Sequence, residues 1–192
     1  MSDSVKFLKN FLCHPLRVGA IAPSSPGLVA EMVNSIDWDR ARGVVEFGPG
    51  TGVFTSGVVE HLHPDARFFA IEMSAEFAAA TRTRCPDVTV YQDSVTQVVE
   101  LCQRQAISQI DAVVCGLPWA SFHRSLQDEI MDAMFDVLAP GAQFATFAYW
   151  QGVMLPAGQR FSRLLKDRFS SVSRSRTVWR NLPPAFVYRC TR

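Results

Sequence analysis

The sequence predicts an α/β domain with a doubly wound, mostly parallel sheet. Three observations predict it. Val44 to Thr55 reads VVEFGPGTGVFT: β-branched residues, three glycines at alternate positions, then Val53, Phe54, Val58, Val59 and Leu62 at helical spacing. Arg67 to Glu72 reads RFFAIE, an apolar strand ending in an acid 20 residues after Gly52. Beyond it, short apolar runs alternate with helical patterns, the signature of parallel strands joined by crossover helices.

In chain order, Ser4 to Cys13 (SVKFLKNFLC) is an amphipathic helix. Val5, Leu8 and Leu12 share one side with Phe7 and Phe11 beside them, and Lys6, Lys9 and Asn10 take the other. Such a stripe suits either a membrane surface or the domain core. His14-Pro15 ends it, because the residue before proline avoids the helical region. A Gly- and Pro-marked loop follows to Ser25, which can cap a helix carrying Pro26 at its first position. Leu28, Val29, Met32, Val33 and Ile36 form that helix's buried face.

After the glycine turn, strand two is Arg67 to Glu72, followed by a helix capped by Ser74. Strand three is Val88 to Tyr91, with a helix from Ser94 to Arg104 after it. Strand four is Ile110 to Trp119, and a long helix runs from Ser121 to Leu138, ended by Pro140-Gly141. Strand five is Gln143 to Trp150. A helix from Ala157 to Phe169 buries Phe161, Leu164, Leu165 and Phe169 and turns Arg160, Arg163 and Lys166 outward. VSRSRTVWR and AFVYRCTR close the chain as an antiparallel strand pair joined by Asn181-Leu182-Pro183-Pro184.

The 192 residues suffice for one well-buried domain. We expect residues 1–13 as a surface helix, 14–42 as a loop and helix covering the site, and 43–192 as the core. With 48% apolar and 19% charged residues and a net charge of +1, the chain is neither disordered nor a nucleic-acid clamp. The charge is uneven: from Leu155 onward nine Lys/Arg stand against Asp167 alone, a local +8. Five scattered cysteines with no C-x-x-C pair suggest reduced thiols in a cytoplasmic compartment. The N-terminus lacks a continuous apolar h-region, and no run reaches the length of a membrane span.

The chemistry gathers around the glycine stretch. Its glycines allow a sharp turn and close approach of backbone to a ligand, and the N–H groups opening the next helix favour polar or anionic groups. The third glycine falls one residue early for the dinucleotide fingerprint, and Glu46 stands two residues before the first. A carboxylate at the end of a second strand, here Glu72, accepts ribose hydroxyls in Rossmann-like units. Asp93, past strand three, either bonds an adenine amine or caps the next helix. Gly116-Leu117-Pro118-Trp119 ends strand four, where open α/β sheets bind ligands. No metal site is expected.

This spacing resembles motif I of the S-adenosylmethionine-dependent methyltransferases, E/D-x-G-x-G-x-G. With Glu72 and Gly116-Leu117-Pro118-Trp119 it is similar to a Rossmann-like class I methyltransferase. The resemblance implies S-adenosyl-L-methionine as cofactor and S-adenosyl-L-homocysteine as product. Gly48, Gly50 and Gly52 would hold its methionine and ribose end, Glu46 its polar groups or the loop, Glu72 the ribose and Asp93 the adenine. Thr51, Met73, Ser94, Gly116 and Leu117 complete the implied cofactor-binding set.

Two families share this style of loop. The rRNA adenine dimethyltransferases carry Asn-Leu-Pro-Tyr/Phe at the end of strand four; here Gly116 replaces the asparagine that reads a base amine. The bacterial phospholipid N-methyltransferases resemble the chain more broadly, through the N-terminal helix, GAIAPSS (Gly19 to Ser25), the glycine stretch, Gly-Leu-Pro and NLPPAFVYR (Asn181 to Arg189). That resemblance implies methylation of phosphatidylethanolamine towards phosphatidylcholine by a monomer held at the cytoplasmic face of the inner membrane. It implies an anionic lipid surface as partner and no nucleic acid. Each basic residue near such a surface is worth about 1 kcal/mol, although Arg160, Arg163 and Lys166 equally suit a solvated face.

Methyl transfer needs an amine lone pair in line with the S–CH₃ bond and exclusion of water. The candidate catalytic residues are His123, Tyr149 and Trp119. His123 is a general base or a helix-surface histidine. Tyr149 is a base, an aromatic wall or core; Trp119 is a wall or core. Aromatic walls would hold the increasingly methylated, finally cationic, nitrogen.

Overall fold

The computed structural model describes residues 24–192. The expected helix from Ser4 to Cys13 and nearly all of the loop after it lie outside the described residues. The elements are α1 (Pro26–Val33), β1 (Gly43–Phe47), α2 (Val53–Val59), β2 (Arg67–Ile71), α3 (Ala75–Arg84), β3 (Thr89–Tyr91), α4 (Val98–Arg104) and β4 (Ile110–Cys115). They continue with α5 (Arg124–Val137), β5 (Leu138–Tyr149), α6 (Trp150–Met154), α7 (Pro156–Arg168), β6 (Ser171–Arg174) and β7 (Ala185–Thr191).

The seven strands form one sheet in the order β3-β2-β1-β4-β5-β7-β6. Pairings from β3 to β5 are parallel, and β7 runs antiparallel to both of its neighbours. This is the expected doubly wound, mostly parallel sheet with an antiparallel C-terminal pair. The chain reverses direction across the sheet between β3 and β4, so the carboxyl ends of β1 and β4 open a crevice.

Alternation along the strands divides the core. Val45, Phe47, Phe69, Val113 and Phe144 meet α4, α5 and α7 on one face. Val44, Val114 and Ala145 meet α1 and α2 on the other, and Ala70 meets Ala78 of α3. The predicted caps are present: Ser25 Oγ accepts the Leu28 N–H at 3.3 Å and Ser74 Oγ accepts the Phe77 N–H at 3.4 Å.

Several boundaries move. Strand four stops at Cys115, and residues 119–121 form a single tight turn, so the long helix starts only at Arg124. That helix ends at Val137, and Pro140-Gly141 sits inside β5 as an irregularity rather than beyond the helix. Gly141 has φ +78°, and the pairing of β4 with β5 shifts register there. Only residues 171–174 of the penultimate segment pair as a strand, because the chain then leaves the sheet, returning only through an isolated bridge from Val178 to Ala185.

Candidate functional site

The glycine turn joins β1 to α2 at the carboxyl edge of the sheet. Gly48, Gly50 and Gly52 have φ values of +66°, +60° and +77°, which side chains rarely adopt. A Cβ on Gly50 would meet nothing within 4 Å, so this backbone faces open space, as a cradle for a ligand does. The peptide groups of Gly50 are clamped. Its N–H donates to Glu72 Oε2 at 3.1 Å, and its carbonyl accepts the Thr81 hydroxyl at 2.8 Å. Glu72 also accepts the Ser74 N–H on Oε1 at 2.9 Å. Burial raises the Glu72 carboxyl above its usual range, against the backbone N–H groups of Ser74, Gly50 and Met73. Glu72 therefore braces the glycine turn, and its oxygens retain acceptor capacity for a ribose.

Glu46 is fully buried at the end of β1, and among the described residues neither of its oxygens has a hydrogen-bond partner. Such a group is costly unless something pairs with it. Burial pushes its carboxyl up to about 8. The nearby Thr55 hydroxyl opposes this without reaching hydrogen-bond geometry, and the Glu72 carboxylate adds to it. Two buried acids beside a glycine cradle make a site for a cation-bearing ligand.

The end of β4 closes on this turn. The Gly116 N–H donates to the Phe47 carbonyl at 2.8 Å, and a Cβ on Gly116 would lie 2.4 Å from the Gly48 carbonyl oxygen. Leu117 is buried and fills the space where a Gly48 side chain would stand, 2.8 Å from that Cβ. Trp119 takes the core placement of those open to it. It is 3% exposed and stacks on Phe161 with ring centroids 4.3 Å apart, so neither face is left to a substrate.

His123 is the exposed N-cap of α5. Its Nδ1 lies 2.9 Å from Ser125 Oγ and accepts the Leu126 N–H at 3.4 Å. Burial pushes the Tyr149 phenol up to about 12, so it is protonated at neutral pH. Its ring, half-buried at the carboxyl end of β5, stands edge-on to Phe147 at 5.3 Å, and Phe147 in turn meets Phe54 at 5.6 Å. Tyr149 therefore keeps the wall reading, on the sheet face that also carries α1 and α2.

Asp93 is half-buried; its Oδ1 accepts the Ser94 N–H at 2.7 Å, and its own N–H donates to the Glu72 carbonyl. The cap is Ser94, whose Oγ accepts the Thr96 N–H at 3.3 Å, so Asp93 is not the capping residue. Thr51 is half-buried within the glycine turn, and Met73 packs against the core beside Glu72. Sequence reasoning missed Thr55, Thr81 and Asn181. Asn181 is buried, accepts the Ser25 N–H on Oδ1 at 2.9 Å and donates to the Pro183 carbonyl at 2.8 Å. Only its place in NLPPA marked it. A groove of about 390 Å³ between α1 and α2, lined by Val29, Val53 and His61 among others, contains none of the expected site residues.

The expected cofactor, S-adenosylmethionine, fits this arrangement. The orphaned Glu46 carboxylate suits a methionine ammonium, the open face at Gly50 suits the ligand's close approach, and Glu72 suits ribose hydroxyls. Among the described residues no cluster of three His, Cys, Asp or Glu suits a metal.

Comparison with known proteins agrees with this geometry. Residues 44–141 match the family model described as a methyltransferase domain. The chain is 36% identical to an ornithine lipid N-methyltransferase of Singulisphaera acidiphila over 99% of its own length and 96% of that protein's. It is 29% identical to a ribosomal RNA small subunit methyltransferase A of Leptothrix cholodnii over 66% of its length, spanning about half (51%) of that protein. The O-methyltransferase TomG from Streptomyces achromogenes, solved in complex with SAM, superposes with a TM-score of 0.70 at 18% identity, covering 100% of this chain and 90% of that one. From its buried acid pair, its glycine turn and these matches, the chain belongs to the methyltransferase domain family.

Proposed function

We propose that the protein is an S-adenosylmethionine-dependent N-methyltransferase of a lipid amine, working at an anionic membrane surface. The observation that carries this reading is the fit of Gly116 against Gly48. The 2.4 Å approach excludes any side chain there, and with it the amide that the rRNA adenine dimethyltransferases use to read a base amine. The likeness to the ornithine lipid N-methyltransferase, nearly end to end, supports the lipid alternative and favours an ornithine headgroup over the phosphatidylethanolamine that the loop motifs alone imply. No helix among the described residues is long and apolar enough to cross a membrane.

The bound cofactor supplies an electrophilic methyl group with a good leaving group. The protein's part is positioning. Glu46 and Glu72 would hold the cationic ligand and its ribose beside the glycine turn, and the buried edge would exclude water. The acceptor nitrogen would have to arrive neutral, with its lone pair free for the methyl group, and would give up any proton it carries after methylation to solvent. Tyr149 stays protonated, and His123 caps a helix on the surface. Selection of the neutral amine in a poorly solvated site therefore replaces a side-chain base. The Tyr149 ring offers its face to the methylated cation.

The test is transfer of labelled methyl from S-adenosylmethionine to ornithine lipid and to phosphatidylethanolamine, each dispersed in detergent micelles, with ribosomal RNA as competitor. Label in lipid, lost in Glu72→Ala, is expected. Label in RNA and none in either lipid would overturn the reading.

A further inference from the structure

Of the six large apolar side chains exposed among the described residues, all but Val59 lie at two neighbouring places. Met154 (76% exposed), Leu155 and Trp150 lie in or just after α6, and Trp179 (72%) and Leu182 (74%) lie in the loop joining β6 to β7. The two places are joined: Trp150 Nε1 donates to Thr177 Oγ1 at 3.1 Å, and the Trp150 N–H donates to the Pro184 carbonyl at 3.1 Å. Register puts them at the ligand-binding edge. Tyr149 pairs with Ala185, so the loop leaves the sheet where β5 ends, at the same end as the glycine turn. The chain also enters the described structure here, since Asn181 holds the Ser25 N–H.

Charge identifies what this rim meets. Arg176 and Arg180 flank Trp179, both exposed and without an ion pair among the described residues, within the segment where nine Lys/Arg stand against Asp167. Tryptophan and leucine at loop tips, flanked by arginines, match the chemistry of a headgroup layer: an apolar body below, a cation at the phosphates. We infer that the α6 segment and the β6–β7 loop form a docking surface for an anionic bilayer, with Trp179 and Leu182 inserted among the headgroups, beside the site and separate from the N-terminal helix. It deepens the lipid reading of the site, on which its purpose rests.

The test uses the full chain and phosphatidylglycerol-rich vesicles with brominated acyl chains. Residues 1–23 contain no tryptophan, so the fluorescence readout cannot come from that segment. Trp179 emission is expected to shift blue and be quenched, and Trp179→Phe to abolish most of the quenching. The double variant Trp179→Ala/Leu182→Ser is expected to lose at least tenfold in vesicle affinity while keeping its Tm and its turnover on micelle-dispersed lipid amine within twofold. Unquenched Trp179, or unchanged vesicle affinity in the double variant, overturns the surface. So does conversion of a dimer to a monomer by the double variant with vesicle binding intact, which would make the patch a self-interface. Quenching without methyl transfer to any lipid overturns the substrate reading and leaves the surface standing.

Discussion

Glu46 should make cofactor affinity depend on pH. With its carboxyl at about 8 in the ligand-free protein, against 4.5 as the ordinary value, burial favours the protonated form by about 5 kcal/mol. At pH 7 ionising it costs about 1.4 kcal/mol, and each further pH unit downward adds the same. Pairing with a methionine ammonium requires the ionised form, so binding releases one proton. The association constant for S-adenosylhomocysteine, used to avoid turnover, should rise about tenfold per pH unit from 6 and flatten near 8. Calorimetry at pH 6.5 in two buffers of different ionisation enthalpy reads the proton directly. Glu46→Gln should remove the slope and, at pH 8, weaken binding by about 10- to 150-fold, as loss of a charged hydrogen bond does. The sign for folding is the reverse. A raised carboxyl stabilises the fold fully below 4.5, and that stability is lost as pH rises through about 8. Without ligand, the wild type should therefore lose Tm relative to Glu46→Gln between pH 5 and 8. Affinity that stays level from pH 6 to 8, with no proton released, would refute the reasoning.

Three other substitutions probe the geometry. Gly116→Ala should cost about 1–3 kcal/mol in chemical denaturation and at least tenfold in S-adenosylhomocysteine affinity, since its Cβ would lie 2.4 Å from the Gly48 carbonyl oxygen; an unchanged affinity would show that the turn can move. His123→Ala should lower stability by about 1 kcal/mol through the lost cap and leave kcat within twofold; a hundredfold fall in kcat would restore the base. Asn181→Ala should cost about 1–3 kcal/mol because the Ser25 N–H and the Pro183 carbonyl lose their partner, and proteolysis should then cut sooner near Ser25.

The sequence made the cofactor side of the site readable because its constraints are local. Glycines at 48, 50 and 52 announce the positive φ values of the turn, and Ser25 and Ser74 announce their helices within three residues. Glu46 was legible as an acid before a glycine loop. Its isolation was not, because that depends on which neighbours fail to reach it. Trp119 follows the motif proline and invites a wall reading, yet its fate is set by Phe161, on α7, which no local pattern brings into view. The capping role of His123 was hidden for a related reason. The tight turn over residues 119–121 delays α5, and that delay alone turns a helix-face histidine into a cap.

The two halves of the site differ in how far they can change. On the β1–β4 side, backbone meets backbone: Gly116 against Gly48, and Gly50 held between Glu72 and Thr81. A side chain added at Gly116 has nowhere to go, so this half is committed to one ligand. On the β5–β7 side, the edge is built from a short helix and a loop whose large side chains project outward, and substitutions there meet solvent rather than packing. The outward-facing Trp179 and Leu182 are therefore the side chains of this half that can change without disturbing the cofactor turn. Replacing Trp179 and Leu182 by polar residues, with Asn181 kept, should lower vesicle affinity while leaving S-adenosylhomocysteine affinity within twofold. A matching loss of S-adenosylhomocysteine affinity would mean that the two halves are mechanically coupled through Asn181 and the Ser25 N–H that it holds.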